Sequence, residues 1–61
     1  DLAEGMEGIH CVGAAVFDGN DFPIAAVTVI GPSFRLKESQ FAEFGLKCIA
    51  AAQSIRERLL A

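Results

Sequence analysis

The sequence predicts an α+β fold in which an antiparallel β-hairpin is followed by one long helix. Residues 11–30 read CVGAAVFDGNDFPIAAVTVI, two apolar runs about the dipeptide Gly19-Asn20. Such runs around such a dipeptide are typical of a β-hairpin. Residues 38–59 carry apolar side chains at spacings of three and four, which is typical of an amphipathic helix.

The turn of the hairpin predicts its register. The first strand is expected over residues 9–18, and the second is expected to begin at Asp21 or Phe22 and to end at residue 30. A two-residue turn at Gly19-Asn20 and a four-residue loop of residues 18–21 give the same pairing. That pairing places Asp18 across from Asp21, Phe17 across from Phe22, Gly13 across from Ala26 and Cys11 across from Thr28.

The hairpin has two different faces, because side chains alternate across a strand. One face is uniformly aliphatic and suits a core under a helix; it carries Val12, Ala14, Val16, Ala25, Val27 and Val29. The other face has small residues at its centre and a thiol opposite a hydroxyl; it carries Cys11, Gly13, Ala15, Phe17, Ile24, Ala26, Thr28 and Ile30. The second face therefore leaves room and polar groups for something small.

Residues 31–36 are expected to end the strand and redirect the chain, because Gly31 permits an unusual φ and Pro32 stops β pairing. The helix is then expected from Glu38 to about Leu59. Its apolar stripe consists of Phe41, Phe44, Cys48, Ala52, Ile55 and Leu59. Lys37 is a poor helix cap, so the first turn is expected to fray. Gly45 is expected to mark a close approach of the helix to the sheet.

Length and composition restrict the classes of protein. Sixty-one residues form at most one small domain, yet 52% are hydrophobic, so we expect a fragment or a piece that pairs with other chains. The net charge of −3 argues against direct contact with nucleic acid or anionic lipid. No apolar run is long enough to span a membrane, and no signal peptide is recognisable. Two cysteines far apart in sequence favour reduced thiols in the cytoplasm.

Three segments carry a resemblance to a known family. They are GIHCVGAAVFD at residues 8–18, IAAVTV at residues 24–29 and GPSFRL at residues 31–36. Together they resemble the last third of the effector-binding domain of IclR-type transcriptional regulators. The resemblance implies a GAF-like fold, a curved antiparallel sheet with helices packed against it. It also implies that residues 1–61 are the C-terminal portion of that domain, with its upstream part and a DNA-binding winged helix-turn-helix lying outside this chain.

The resemblance also implies a ligand-binding set, which falls on Asp1, Cys11, Thr28 and Ile30. Ile30 departs from the family pattern, in which a hydroxyl is expected, and this favours a more apolar or differently shaped effector. Each residue also has a simpler interpretation: Cys11 as a small buried hydrophobe, Thr28 as a strand former and Asp1 as a solvated carboxylate. We expect no catalytic residue, metal or cofactor, because His10 points to the face opposite Cys11 and no nucleophile has a base beside it.

These observations predict a cytoplasmic ligand-sensing module rather than an enzyme. The implied effector is a small organic acid or an aromatic metabolite. The other expected partners are copies of the same chain, as a dimer or tetramer, and DNA contacted only through a domain outside this chain, with no membrane contact. The alternative is an oligomerisation element with no ligand of its own.

Overall fold

A computed structural model describes residues 8–61 and confirms the α+β arrangement. Strand β1 (Ile9–Phe17) pairs antiparallel with strand β2 (Pro23–Pro32) in a two-stranded sheet. A 3-10 turn over Glu38–Gln40 leads directly into helix α1 (Phe41–Leu60). Within residues 8–61, no helix is both long and apolar enough to cross a membrane.

The tip of the hairpin is a three-residue loop rather than the predicted two- or four-residue turn. The Asp21 N–H donates to the Asp18 carbonyl at 3.0 Å, and the Asp18 N–H donates to the Phe22 carbonyl at 2.9 Å. Residues 19–21 therefore form the loop, and Asp21 adopts a positive φ of 62°. Asp is one of the few non-glycine residues that tolerate this left-handed conformation.

The predicted register is wrong by two residues. Cys11 lies across from Ile30, and Gly13 lies across from Thr28. The third loop residue accounts for a shift of one, and a bulge next to the loop accounts for the second, because Phe17 pairs with Pro23 whereas Val16 pairs with Ala25. Neither the extra loop residue nor the bulge is indicated by the apolar pattern.

The predicted assignment of side chains to the two faces of the paired strands is correct, because a shift of two residues preserves the alternation of side chains. Helix α1 packs on the aliphatic face, mainly over β1. Two valines of β1, Val12 and Val16, are buried together with Cys48 and Ala52 of the helix. The Cys48 thiol lies 3.7 Å from the Val12 carbonyl oxygen, at hydrogen-bonding distance for sulfur. Both cysteines are free thiols.

Strand β2 runs two residues further than predicted. Gly31 pairs with His10 and Pro32 with Ile9, and the Ser33 N–H donates to the Gly8 carbonyl at 2.9 Å. Pro32 is tolerated because it stands at the end of the ladder, where a missing N–H costs little. The chain turns immediately afterwards, since the N–H groups of Arg35 and Leu36 both donate to the Pro32 carbonyl.

The helical segment begins at Glu38 as predicted, although its first turn is 3-10. The Lys37 N–H donates to the Gln40 side-chain oxygen at 3.0 Å, so a residue inside the turn compensates for the poor cap. The predicted stripe is buried only in its middle. Ile55 and Leu59, towards the C-terminal end of the helix, are 41% and 59% exposed.

Candidate functional site

An open groove lies on the small-residue face of the hairpin, away from the helix. Its volume is about 300 Å³, and it is lined by Cys11, Gly13, Ala14, Ala15, Ala26 and Thr28. Gly13, Ala15 and Ala26 form its apolar floor. Cys11 and Thr28 supply the polar side chains among these lining residues.

Gly13 lets the Thr28 hydroxyl lie close to the backbone of β1 at the centre of the groove. A Cβ added at Gly13 would lie 3.1 Å from Thr28 Oγ1 and 3.1 Å from the Val27 carbonyl oxygen. Because Thr28 stands directly across from Gly13, its hydroxyl fills part of the space that a side chain would occupy. A larger residue here would press on Thr28 and on the neighbouring backbone.

The structure brings together two of the four predicted ligand-binding residues. Cys11 is half-buried, Thr28 is exposed, and the two are diagonal neighbours across the strands, a separation of about 7–8 Å between Cα atoms. Ile30 lies on the same face directly across from Cys11 and is 68% exposed, but it does not line the groove itself. Asp1 lies outside the described residues.

The groove can offer hydrogen bonds without charge. A hydroxyl both donates and accepts, whereas a thiol does so weakly. The lining side chains described above carry no formal charge, so the hairpin contributes shape and neutral polar contacts. Among residues 8–61, no three His, Cys, Asp or Glu side chains are grouped so that they could hold a metal ion.

His10 lies on the helix-facing side of β1, as its position next to Cys11 predicts. Its Nδ1 is 2.7 Å from the Leu36 carbonyl oxygen, and its ring packs edge-on against Phe41 with centroids 5.1 Å apart. The imidazole is therefore engaged in packing and is not available as a base for the Cys11 thiol on the opposite face.

A second cleft, of about 350 Å³, runs between the unpaired edge of β1 and the helix. Arg56 closes the end of this cleft nearest the hairpin tip. Its Nε and Nη2 donate to the Asp18 carbonyl at 3.3 and 3.2 Å, and Nη2 also lies 3.2 Å from an Asp21 carboxylate oxygen. The last turns of the helix are thereby fastened to the loop of the hairpin.

Comparison with known proteins gives the family. Residues 1–57 match the family described as bacterial transcriptional regulator IclR, C-terminal. The chain belongs to the IclR family. It is 35% identical over 55 residues to the transcriptional repressor IclR of Escherichia coli K12, covering 90% of this chain and 20% of that repressor. The HTH-type transcriptional repressor AllR of the same strain is 36% identical over 45 residues, which is 74% of this chain and 17% of AllR.

A third IclR-family relative is the acetate operon repressor of Salmonella typhimurium, 31% identical over 55 residues, which is 90% of this chain and 20% of that protein. The chain thus spans about a fifth of the length of these curated relatives. All three are named as repressors rather than enzymes, which agrees at the level of the family with a regulatory role.

Three residues at the site and at the hairpin tip were not predicted to have these roles. The sequence pattern identifies Gly13 only as a small residue and Asp18 only as a turn position, and it assigns no contact to Arg56. The signal for Asp18 is present in the sequence, because an Asp followed by Gly-Asn-Asp is typical of loops in which a side chain accepts backbone N–H groups.

Proposed function

We propose that this segment is the C-terminal part of an effector-binding domain within a longer regulator, and that the groove forms one wall of the effector site. The observation that carries the proposal is the groove itself, in which the Cys11 thiol and the Thr28 hydroxyl flank an apolar floor that includes Gly13. A mostly apolar concavity with few polar groups is the usual form of a small-molecule site.

The proposed ligand is a small organic acid or an aromatic metabolite. An aromatic ring or short alkyl group fits against Ala15 and Ala26, while Thr28 and Cys11 contact a carbonyl or hydroxyl of the ligand. Ile30 adds apolar surface next to Cys11. Asp1 is included in the proposed site from the family pattern, and its position lies outside the described residues.

The proposed mechanism is a shift between two arrangements of the regulator. A ligand that binds one arrangement more tightly shifts the equilibrium between the two arrangements. The size of the shift is set by the difference between its affinities for them. DNA is contacted through a separate domain, and the working assembly in the cytoplasm is a dimer or tetramer of the same chain. The acidic charge of this segment supports the assignment of DNA contact to another domain.

The first experiment is a ligand screen on the full-length regulator. Thermal melting is measured against a panel of small carboxylates and aromatic acids, because a ligand that binds only the folded protein raises the melting temperature. A stabilising compound supports effector binding. If no compound in either class changes the melting temperature or the affinity for the operator, the alternative of an oligomerisation element is favoured.

Variants then assign the site. Cys11→Leu and Thr28→Leu place a large side chain in the groove and are expected to abolish binding while the protein still folds. Thr28→Val removes the hydroxyl with little change of shape and is expected to weaken binding by about two- to tenfold, the range for one neutral hydrogen bond. Ala50→Leu, on the exposed side of the helix, is the matched control and should leave binding unchanged.

A packed core on this face would give a different result in the same variants. If this face is packed core, Leu at Cys11 or Thr28 should instead destabilise the protein by about 1–3 kcal/mol through overpacking. Destabilised variants with unchanged ligand affinity would remove Cys11 and Thr28 from the site.

A further inference from the structure

The hairpin sequence is compatible with two registers that expose the same faces. A two-residue turn at Gly19-Asn20 is a favoured hairpin turn, and it would pair Cys11 with Thr28. The observed loop of residues 19–21, together with the bulge beside it, pairs Gly13 with Thr28 instead. Because the two registers differ by two residues, burial of the aliphatic face does not choose between them.

The Asp18 side chain makes the contacts that favour the observed loop. Its Oδ1 accepts the Asn20 N–H at 2.8 Å and the Phe22 N–H at 3.0 Å. The Phe22 N–H therefore has a hydrogen-bond partner at the point where the loop rejoins the strand, although Phe22 lies outside the regular pairing of the two strands. Arg56 adds to this by bonding the Asp18 carbonyl and the Asp21 carboxylate.

We propose that Asp18 is a positioning residue: its carboxylate selects the hairpin register that places Thr28 across from Gly13 and so sets the position of the Thr28 hydroxyl in the groove. Asp18 lies five residues from Gly13, or about 16 Å along the strand, and it touches nothing in the groove. A slip to the two-residue turn would bring Ala26 across from Gly13 and Thr28 across from Cys11. The consequence for effector binding rests on the function proposed above, whereas the selection of the register does not.

The register can be measured by disulfide formation between the native Cys11 thiol and a second, introduced cysteine in the full-length regulator, with oxidised glutathione as the oxidant. Directly paired residues have Cα atoms about 4.5–5.5 Å apart, within the range of a disulfide, whereas diagonal neighbours lie near or beyond its limit. Ile30→Cys should therefore cross-link to Cys11, and Thr28→Cys should not. No Lys or Arg lies between residues 11 and 30, so the cross-link appears as the loss of two hydrogens from the tryptic peptide that ends at Arg35.

Asp18→Ala is then added to each cysteine variant. The yield of the cross-link in Thr28→Cys is expected to rise about fivefold relative to that in Ile30→Cys, the change expected from losing one or two exposed hydrogen bonds. Asp18→Asn keeps the acceptor oxygen and should restore the original ratio. An unchanged ratio in Asp18→Ala would overturn the proposal, as would failure of Asp18→Asn to restore it.

A turn variant keeps the test decisive if Asp18→Ala does not fold. Gly19→Asn combined with Asn20→Gly creates the preferred dipeptide of a two-residue turn and should weaken the register selection in the same direction. Asp21→Gly relieves the positive φ and should strengthen the observed register, because the exposed Asp21–Arg56 ion pair that it removes contributes less to stability than the relief of the φ. If neither change moves the cross-link ratio, the register is fixed elsewhere and the proposal fails.

Ligand affinity, measured on the same variants without the added cysteines, separates the two proposals. A slipped register with unchanged affinity would refute the groove as the effector site and leave the role of Asp18 standing. If Asp18→Ala leaves the register unchanged while Thr28→Val loses affinity for the ligand, the role of Asp18 is refuted and the groove stands as the effector site.

Discussion

At the scale of single residues, His10 shows how one polar side chain joins three parts of the chain. The Leu36 carbonyl can only accept a hydrogen bond, so His10 Nδ1 carries the proton of that bond. Leu36 is buried and lies just before the helical segment, while Phe41 begins helix α1. His10 therefore ties the start of β1 both to the bend after β2 and to the first turn of the helix.

Two substitutions at His10 separate these contacts. His10→Phe removes the hydrogen bond and keeps an aromatic ring next to Phe41, so we expect a loss of about 1 kcal/mol in unfolding free energy. His10→Ala also removes the ring contact and should cost about 0.5–1.5 kcal/mol more. Urea denaturation of the complete effector domain measures both. Wild-type stability in His10→Phe would mean that the bond to Leu36 contributes nothing.

At the scale of elements, the sequence predicted what depends on periodicity and missed what depends on individual side chains. The strand faces follow from alternation, so Val12 and Val16 were correctly placed beneath the helix. The register depends on Asp18 Oδ1 accepting two N–H groups and on Asp21 adopting a positive φ, neither of which changes the apolar pattern. How far the apolar stripe of the helix is buried depends on the residues that lie opposite it. The spacing of apolar residues within the helix carries no information about those residues.

The helix offers a prediction at Gly45, the fifth residue of α1. The sequence indicated close approach to the sheet, and a Cβ built at this position would meet Val12 Cγ1 at 3.7 Å, an ordinary van der Waals contact. Gly45→Ala should therefore be accommodated and should raise stability by up to about 1 kcal/mol through helix propensity. Ala50→Gly, at an exposed position of the same helix, should lower it by a similar amount. If Gly45→Ala is destabilised instead, the helix and the sheet lie closer together than the 3.7 Å contact with Val12 indicates.

At the scale of the whole molecule, a small buried core stands against a large apolar surface. The buried hydrophobic residues are Val12, Val16, Leu36, Cys48 and Ala52. Large hydrophobic side chains are exposed on the strands, at the bend and along the helix, among them Phe22, Ile24, Phe34, Leu46 and Leu60. A two-stranded sheet also has unpaired N–H and C=O groups along its outer edges, which favour pairing with further strands.

The last prediction follows from that imbalance. A chain of this size gains little net stability from its own core, and an isolated hairpin needs more strands or a larger packed face to persist in water. The isolated 61-residue chain should therefore melt over a broad temperature range and associate as its concentration rises, as measured by circular dichroism and by light scattering after gel filtration. The same residues within the full-length regulator should be protected from amide hydrogen exchange, because other parts of the protein cover the exposed apolar side chains and strand edges. A monomeric isolated chain with a sharp, concentration-independent melt would contradict this account and would require the small core to be sufficient by itself.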